Sequence, residues 1–176
     1  MAAFAPARGA SQESGLTRKR QVEDLPHLAM QIKTANFGSV EIDVDDILLF
    51  PHGVIAFEDC RHWVLLSDEE NPALAWLQSI SRPEVALPVV SPRRFTPDYS
   101  VHVSRGQLLP LEFSQFDEAY VLAVVSRSDG DLTLNLKAPL IINLDRRLGR
   151  QVITSDEQPV ALALISAAPA VWRKSA

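Results

Sequence analysis

The stretch that decides the fold is "YVLAVVSRSDGDLTLNLKAPLIINLD", residues 120–145. Its first seven residues are almost all apolar, as in a buried strand, and Ser128 to Gly130 supplies the residues of a tight turn. From Asp131 to Lys137 apolar and polar residues alternate, which is the period of a β-strand. This pattern predicts leucines facing the core at 132, 134 and 136, and Asp131, Thr133, Asn135 and Lys137 facing outward.

The residues after Lys137 continue the sheet with an interruption. Pro139 has no backbone N–H, so we expect it to break the strand ladder. The pattern resumes over residues 141–145, turns over residues 146–149 and predicts a further strand over residues 151–154. Residues 160–165 are a candidate for the final strand.

The chain upstream shows the same period of two in shorter segments. These are residues 30–33, 40–44, 63–67 and 74–80, with residues 85–90 as a further strand. Gly38, in the turn between the first two, predicts a hairpin. Pro88 confines the strand over residues 85–90 to a sheet edge or a bulge.

Two segments are candidates for short helices. Asp45 and Asp46 favour a helix amino end that continues through residue 49 and stops before Pro51. Residues 106–117 are the second candidate, broken at Pro110, and residues 91–99 predict a structured loop. The fold class is therefore all-β: a small single-domain barrel-like or strongly curved antiparallel sheet with one or two short helices.

Composition sets the domain organisation. The 176 residues, 47% of them hydrophobic, suffice for one core. We expect residues 1–26 to form a disordered tail, residues 27–165 the β domain and residues 166–176 a second tail. The amino-terminal residues lack the apolar block of a secretory signal, and no apolar run approaches the roughly 18–20 residues that cross a bilayer. A cytoplasmic protein without membrane contact is predicted, and the single Cys60 agrees with a reducing compartment.

The sequence offers little catalytic chemistry. Its four histidines have no metal-ligand spacing, and no phosphate-binding loop is present, so we predict no metal and no cofactor. The net charge of −5 argues against direct nucleic-acid binding. His52 beside Glu58, in the loop at residues 50–58, is the one seed for an alternative function as a small hydrolase.

The polar residues of 131–151 are suited to recognition. Asn135, Lys137, Asn143, Arg146 and Arg147 have long hydrogen-bonding side chains but, apart from the lysine, no useful acid–base chemistry near neutral pH. The alternative is that they are ordinary outward residues of a half-exposed sheet. The residues alone leave both interpretations open.

Three separated motifs resemble the bacterial flagellar assembly factor FliW family. They are "LLFPHGVIAFE" (48–58), "NPALAWLQSISRPEVALPVVSP" (71–92) with "PDY" (97–99), and "LNLKAPLIINLDRRLGRQVI" (134–153). The likeness covers about residues 30–155. Ile55 and Ala56 stand where the family commonly has Pro and Gly, the amino-terminal tail is longer than usual, and residues 104–117 are less acidic.

The resemblance implies a mostly β, non-enzymatic protein that exchanges two partners. Flagellin occupies it when plentiful, and once flagellin is exported the factor binds and allosterically antagonises the translational repressor CsrA, which relieves repression of flagellin mRNA. A flagellin chaperone without CsrA regulation is the alternative. The partner-binding residues expected on this basis are Asn135, Lys137, Asn143, Arg146 and Arg147, with Asn71 and Glu58 as neighbours.

Overall fold

The computed structural model describes residues 28–115, 117–128 and 130–164. The described chain is mostly strand. The strands are β1 (Ala29–Thr34), β2 (Gly38–Asp43), β3 (Leu48–Leu49), β4 (His62–Ser67), β5 (Leu74–Ser79), β6 (Ala86–Val90), β7 (Ala119–Ser128), β8 (Asp131–Leu134), β9 (Leu140–Asn143), β10 (Leu148–Gln151) and β11 (Leu162–Ala163).

Helical structure in the described residues is brief. One α-helix, α1, spans Arg105–Leu108 and continues into a 3₁₀ turn, Leu109–Leu111. Two further 3₁₀ turns span Val44–Asp46 and Pro92–Arg94. The expectation of a helix through residue 49 is wrong, because the chain leaves the first of these turns directly into β3, which pairs with both β4 and β10.

The sheet closes into a seven-stranded barrel. The order of pairing is β7, β6, β5, β4, β3, β10 and β9, and β9 returns to β7. All of these pairs are antiparallel except β3 with β10. Closure pairs most of the strand edges that an open sheet would expose, although β3 covers only the first two residues of β4. The closed sheet confirms the predicted barrel-like all-β class.

One edge of β7 serves two strands in succession. Val125 pairs with Leu134 of β8, whereas Leu122 pairs with Leu140 of β9. From Val125 to Leu122 is three positions along β7, whereas from Leu134 to Leu140 is six positions along the facing chain. The facing chain therefore has three extra residues, which bulge out of the ladder. We call residues 135–139 the bulge. The predicted break at Pro139 is confirmed, and the ladder resets across it.

The main core fills the barrel. Trp63, Phe50, Leu77 and Ile142 are fully buried there, and the Trp63 indole donates to the Cys60 carbonyl oxygen over 2.9 Å. Gly149 of β10 is required by this packing. A β-carbon at that position would lie 2.2 Å from the nearest Phe50 ring carbon.

The β1–β2 hairpin lies outside the barrel and covers part of it. Ile32 and Ile42 pack on Val64 of β4, and Phe37 meets Trp76 of β5 edge to face with ring centroids 5.5 Å apart. The predicted hairpin, with Gly38 at φ +69°, is confirmed.

Two strand predictions need correction. β6 is not an edge strand: it lies between β5 and β7, and Pro88 is tolerated because its β7 ladder includes only Val89 and Val90. Thr133 is buried and its hydroxyl contacts Ser126, so strict outward alternation fails in β8. The strand predicted over residues 151–154 lies at Leu148–Gln151.

The two predicted tails, residues 1–26 and 166–176, lie outside the described residues. Among the described residues there is no helix long and apolar enough to cross a bilayer.

Candidate functional site

The turn between β9 and β10 is organised by Asn143. Its side chain is fully buried, donates to the Leu111 carbonyl oxygen over 3.0 Å and to Asp117 over 2.9 Å, and accepts the Asp145 and Arg146 backbone N–H groups. The expectation that Asn143 faces outward is therefore wrong. The Asn143 side chain thus pairs with backbone groups around the end of β9, where the strand ladder no longer supplies partners.

Asp117 carries a strongly stabilised negative charge beside this turn. The Ser114 hydroxyl and backbone N–H, together with the Asn143 amide, donate to its carboxylate and lower its pKa to about 2. The nearby Arg146 guanidinium acts in the same direction. Asp117 is therefore ionised throughout the physiological pH range.

An apolar groove opens next to Asp117. It encloses about 540 Å³ between the loop at residues 91–103, α1 with its following 3₁₀ turn, and strands β7 and β9. We call it the apolar groove, and its apolar lining consists of Pro92, Tyr99, Val101, Val103, Leu108, Phe113, Ala119, Tyr120, Val121 and Ile141. Tyr120 is 44% exposed, so a partner can reach it.

The polar rim of the apolar groove is fixed by hydrogen bonds. Arg93 donates to the Tyr99 carbonyl oxygen, and the Tyr99 hydroxyl donates to the Leu136 carbonyl oxygen over 2.7 Å. Burial, helped by the charge of Asp156, raises the pKa of Tyr99 to about 12. Tyr99 is thus a neutral anchor that ties the 91–103 loop to the bulge.

The two arginines after Asn143 lie in the β9–β10 turn. Both are exposed, and Arg147 adopts φ +55° with a guanidinium nitrogen 3.9 Å from an Asp46 oxygen. Arg146 interacts with Asp117 and so lies next to the apolar groove. These two cations are available to a partner that contacts the groove and the turn together.

Within the bulge, Asn135 and Lys137 bind the chain itself. The Asn135 side-chain oxygen accepts the Ala138 backbone N–H, and the Lys137 ammonium donates to the Asp156 backbone carbonyl oxygen over 2.6 Å. Both side chains are only partly buried, which leaves part of each accessible.

Asp156 organises the segment that follows β10. The Thr154 hydroxyl, the His102 backbone N–H and the His102 ring lower its pKa by hydrogen bonding to the carboxylate. This cluster fastens residues 154–156 to the loop that borders the apolar groove.

The loop at residues 50–58 holds Glu58 against its own backbone. The Glu58 carboxylate accepts the Ala56 N–H over 3.0 Å, and Ala56 has φ +72°, a conformation that favours glycine. The Ile55 N–H donates to the Gln151 side chain, and Ile55, Gln151 and Asn135 line a small groove of about 180 Å³. His52 is exposed, so the loop does not enclose it.

Asn71 lies in the connection between β4 and β5. It is buried; its side-chain oxygen accepts the Ala73 N–H and its backbone N–H donates to Asp68. It therefore shapes that turn instead of extending the polar face of residues 135–147.

The sequence interpretation brought together some of these residues and missed the groove. Asn143 donates to Asp117 and the charge of Arg146 acts on the same carboxylate, whereas Asn135 lines a groove with residues of the 50–58 loop. The groove residues gave no periodic signal because loops and one short helix supply most of them. The apolar side chains of Val101, Val103 and Phe113, outside any strand pattern, were the available sign.

Comparison with known proteins assigns the family. The model of the FliW protein family matches residues 31–163. A flagellar assembly factor FliW of Bdellovibrio bacteriovorus is 37% identical over 129 residues, covering 72% of this chain and 74% of that one. The FliW of Moorella thermoacetica is 42% identical over 127 residues, covering 70% and 80%.

A solved structure agrees with these sequence matches. The crystal structure of a flagellar assembly factor FliW superimposes with a TM-score of 0.69 at 28% identity, covering 76% of this chain and 94% of that chain. The matched residues include the whole seven-stranded barrel and both sides of the apolar groove. The chain belongs to the FliW family of flagellar assembly factors.

Proposed function

We propose that this protein is a non-enzymatic flagellar assembly factor that binds flagellin and, by partner switching, binds and allosterically antagonises the translational repressor CsrA in the cytoplasm. Free flagellin occupies the factor and leaves CsrA able to repress flagellin mRNA. Export of flagellin frees the factor to bind CsrA and relieve that repression. Membership of the FliW family is the observation that carries the proposal.

The apolar groove is the flagellin site in this proposal. A helix that docks on a protein presents apolar side chains at intervals of three and four residues and needs an apolar depression to receive them. The apolar groove has this character, with Tyr120 and Phe113 on its surface and the ionised Asp117 beside it. The exposed Arg146 and Arg147 add directional contacts at the rim, with Asn135 and Lys137 at the bulge and Glu58 at the neighbouring loop.

Asn143 and Asn71 support the binding surface without touching the partner. Both side chains are buried within the chain, so a partner cannot reach them without local unfolding. Their hydrogen bonds hold the β9–β10 turn and the β4–β5 turn in shape.

The exposed His52 gives no support to the hydrolase alternative. A general base is held against the group it activates, whereas His52 faces solvent and Glu58 is engaged by the Ala56 N–H.

A competition assay tests the proposal. Purified protein is titrated calorimetrically with the cognate flagellin, with CsrA, and with CsrA in the presence of saturating flagellin. We expect both partners to bind alone and flagellin to weaken CsrA binding, with the reciprocal effect equal in size. Binding of neither partner would refute the proposal, and binding of flagellin without CsrA would leave the chaperone alternative.

A pair of variants locates the flagellin site. Tyr120→Ala removes an exposed aromatic ring from the apolar groove, and we expect about a tenfold loss of flagellin affinity. Val160→Ala removes an exposed apolar side chain that does not line the groove, and it is the matched control. Equal affinities for the two variants would exclude the apolar groove as the flagellin site.

A further inference from the structure

A second groove lies where the β1–β2 hairpin meets β4. Residues 39–41 of β2 form one wall and residues 65–67 of β4 the other, and residues 68–70 close one end. It encloses about 670 Å³, and none of its lining residues lines the apolar groove. We call it the edge groove.

The edge groove is lined by a stretch of β4 with an open backbone edge. β3 pairs with β4 only at His62 and Trp63, so the rest of that edge has no strand partner among the described residues. The Ile80 N–H donates to the His62 carbonyl oxygen, so His62 is a residue of β4 whose backbone faces β5. Along β4 the backbone groups of alternate residues then face β5, and those of the residues between them face the opposite edge. By that alternation, the backbone polar groups of Leu65 and Ser67 point away from β5.

The facing wall has the same property. Within the described chain, β2 pairs with β1 alone. The Val44 N–H donates to the Leu28 carbonyl oxygen, so the alternation directs the backbone groups of Ser39 and Glu41 away from β1. Two open strand edges therefore line one depression, which is the feature that a sheet offers to an added strand.

The charge of the edge groove has one sign. Glu41, Asp68, Glu69 and Glu70 line it, and no lysine, arginine or histidine does. Within the part of the chain that the structure describes, Glu69 and Glu70 form no ion pair. Burying these carboxylates under an uncharged partner would be costly, whereas cationic side chains would offset the loss of water.

We propose that the edge groove binds an extended segment of a partner protein in which lysine or arginine alternates with apolar residues. The segment adds to β4 as a strand: its backbone pairs with Leu65 and Ser67, and its cations face Glu69 and Glu70. Alternate side chains of a strand point to opposite sides, so its apolar residues pack against Val40 and Leu66. The edge groove lies outside the proposed flagellin site, and this inference holds whether or not that proposal does.

A synthetic peptide that alternates lysine with valine tests the proposal on the full-length protein. We expect binding that weakens with salt, and slower hydrogen exchange at the Leu65 and Ser67 amides when the peptide is bound. The amides of Val64 and Leu66 already face β5 and are the internal reference. Peptide binding without protection at Leu65 and Ser67 would overturn strand addition.

Two controls separate charge from backbone pairing. The double variant Glu69→Lys, Glu70→Lys is expected to bind the peptide about tenfold more weakly. The control is the double variant Glu118→Lys, Glu157→Lys, which reverses two exposed carboxylates outside the edge groove. We expect it to bind the peptide as the native protein does. The second control uses two peptides, one N-methylated at its odd positions and the other at its even positions. In an added strand only one of these two sets of N–H groups faces β4, so only one of the two peptides should lose affinity.

Other results would overturn the proposal. If both double variants lose the same peptide affinity, the peptide binds through general electrostatic attraction and not through the edge groove. Protection of the Leu65 and Ser67 amides before peptide is added would mean that another part of the chain already occupies the edge.

Discussion

Replacement of Asn143 by alanine is expected to destabilise the fold strongly. The change removes the donor to the Leu111 carbonyl oxygen, which lies in a fully buried residue, and a buried carbonyl left unpaired costs about 1–3 kcal/mol. It also removes the hydrogen bond that the Asn143 amide donates to ionised Asp117. Asp145 and Arg146 are exposed, so water can replace their bonds to Asn143.

We expect the free energy of unfolding to fall by about 2 kcal/mol, the middle of the range for an unpaired buried carbonyl oxygen such as that of Leu111. Urea denaturation followed by tryptophan fluorescence measures it, and with slopes typical of a small domain the midpoint falls by roughly 1–2 M. Asn135→Ala is the matched control, because that partly buried side chain makes a single hydrogen bond to the Ala138 N–H. For it we expect a loss of about 1 kcal/mol or less.

A second readout is specific to the Asn143 amide. In the native protein hydrogen bonds from Ser114 and Asn143 hold the pKa of Asp117 at about 2. Loss of the amide should raise this pKa, which a carboxyl NMR titration measures. If Asn143→Ala is no less stable than Asn135→Ala, or if the pKa of Asp117 does not move, the role given to the buried amide is refuted.

Three further predictions concern other parts of the chain. Gly149→Ala places a methyl group 2.2 Å from the nearest atom of the fully buried Phe50 ring, so we expect the free energy of unfolding to fall by about 1–3 kcal/mol. Thermal denaturation measures this loss, and a wild-type melting temperature would contradict the packing. Ala56→Gly relieves a positive φ of 72° and should stabilise the fold by about 1 kcal/mol, whereas destabilisation would mean that the loop adopts another conformation. Asp156→Asn should remove part of the loss of folding stability that occurs at acid pH. Because folding lowers the pKa of Asp156, its contribution is present above the ordinary carboxyl pKa and disappears as pH falls through the folded pKa. The stability difference from the native protein should therefore shrink on acidification, and a difference independent of pH would contradict the prediction.

Much of the strand content follows from the sequence because the strands carry local signals. The alternation in residues 30–44 predicts the β1–β2 hairpin, and the apolar run at residues 120–126 predicts β7. Closure of the barrel depends on non-local pairing. Nothing near β7 indicates that its one edge serves β8 and then β9, although Pro139 marks the place where the change occurs.

Side-chain direction at strand ends could not be predicted from the period of two. Asn143 looks like an outward polar residue, but it lies at the end of β9, where backbone groups lose their ladder partners. Thr133 is buried for a different reason, since its hydroxyl finds a partner in Ser126 on the neighbouring strand. In both cases a specific hydrogen bond outweighs the general preference of polar side chains for water.

The closed barrel explains why the polar residues of 134–153 are poor guides to a binding surface. A strand that changes register needs side chains to satisfy the backbone groups that the ladder leaves free. Asn135 does so inside the bulge, and Asn143 does so at the end of β9. In the following turn, the side chains of Arg146 and Arg147 are exposed and can reach a partner. Recognition is therefore better sought where the barrel is least regular, in the apolar groove beside Asp117 and along the open edge of β4.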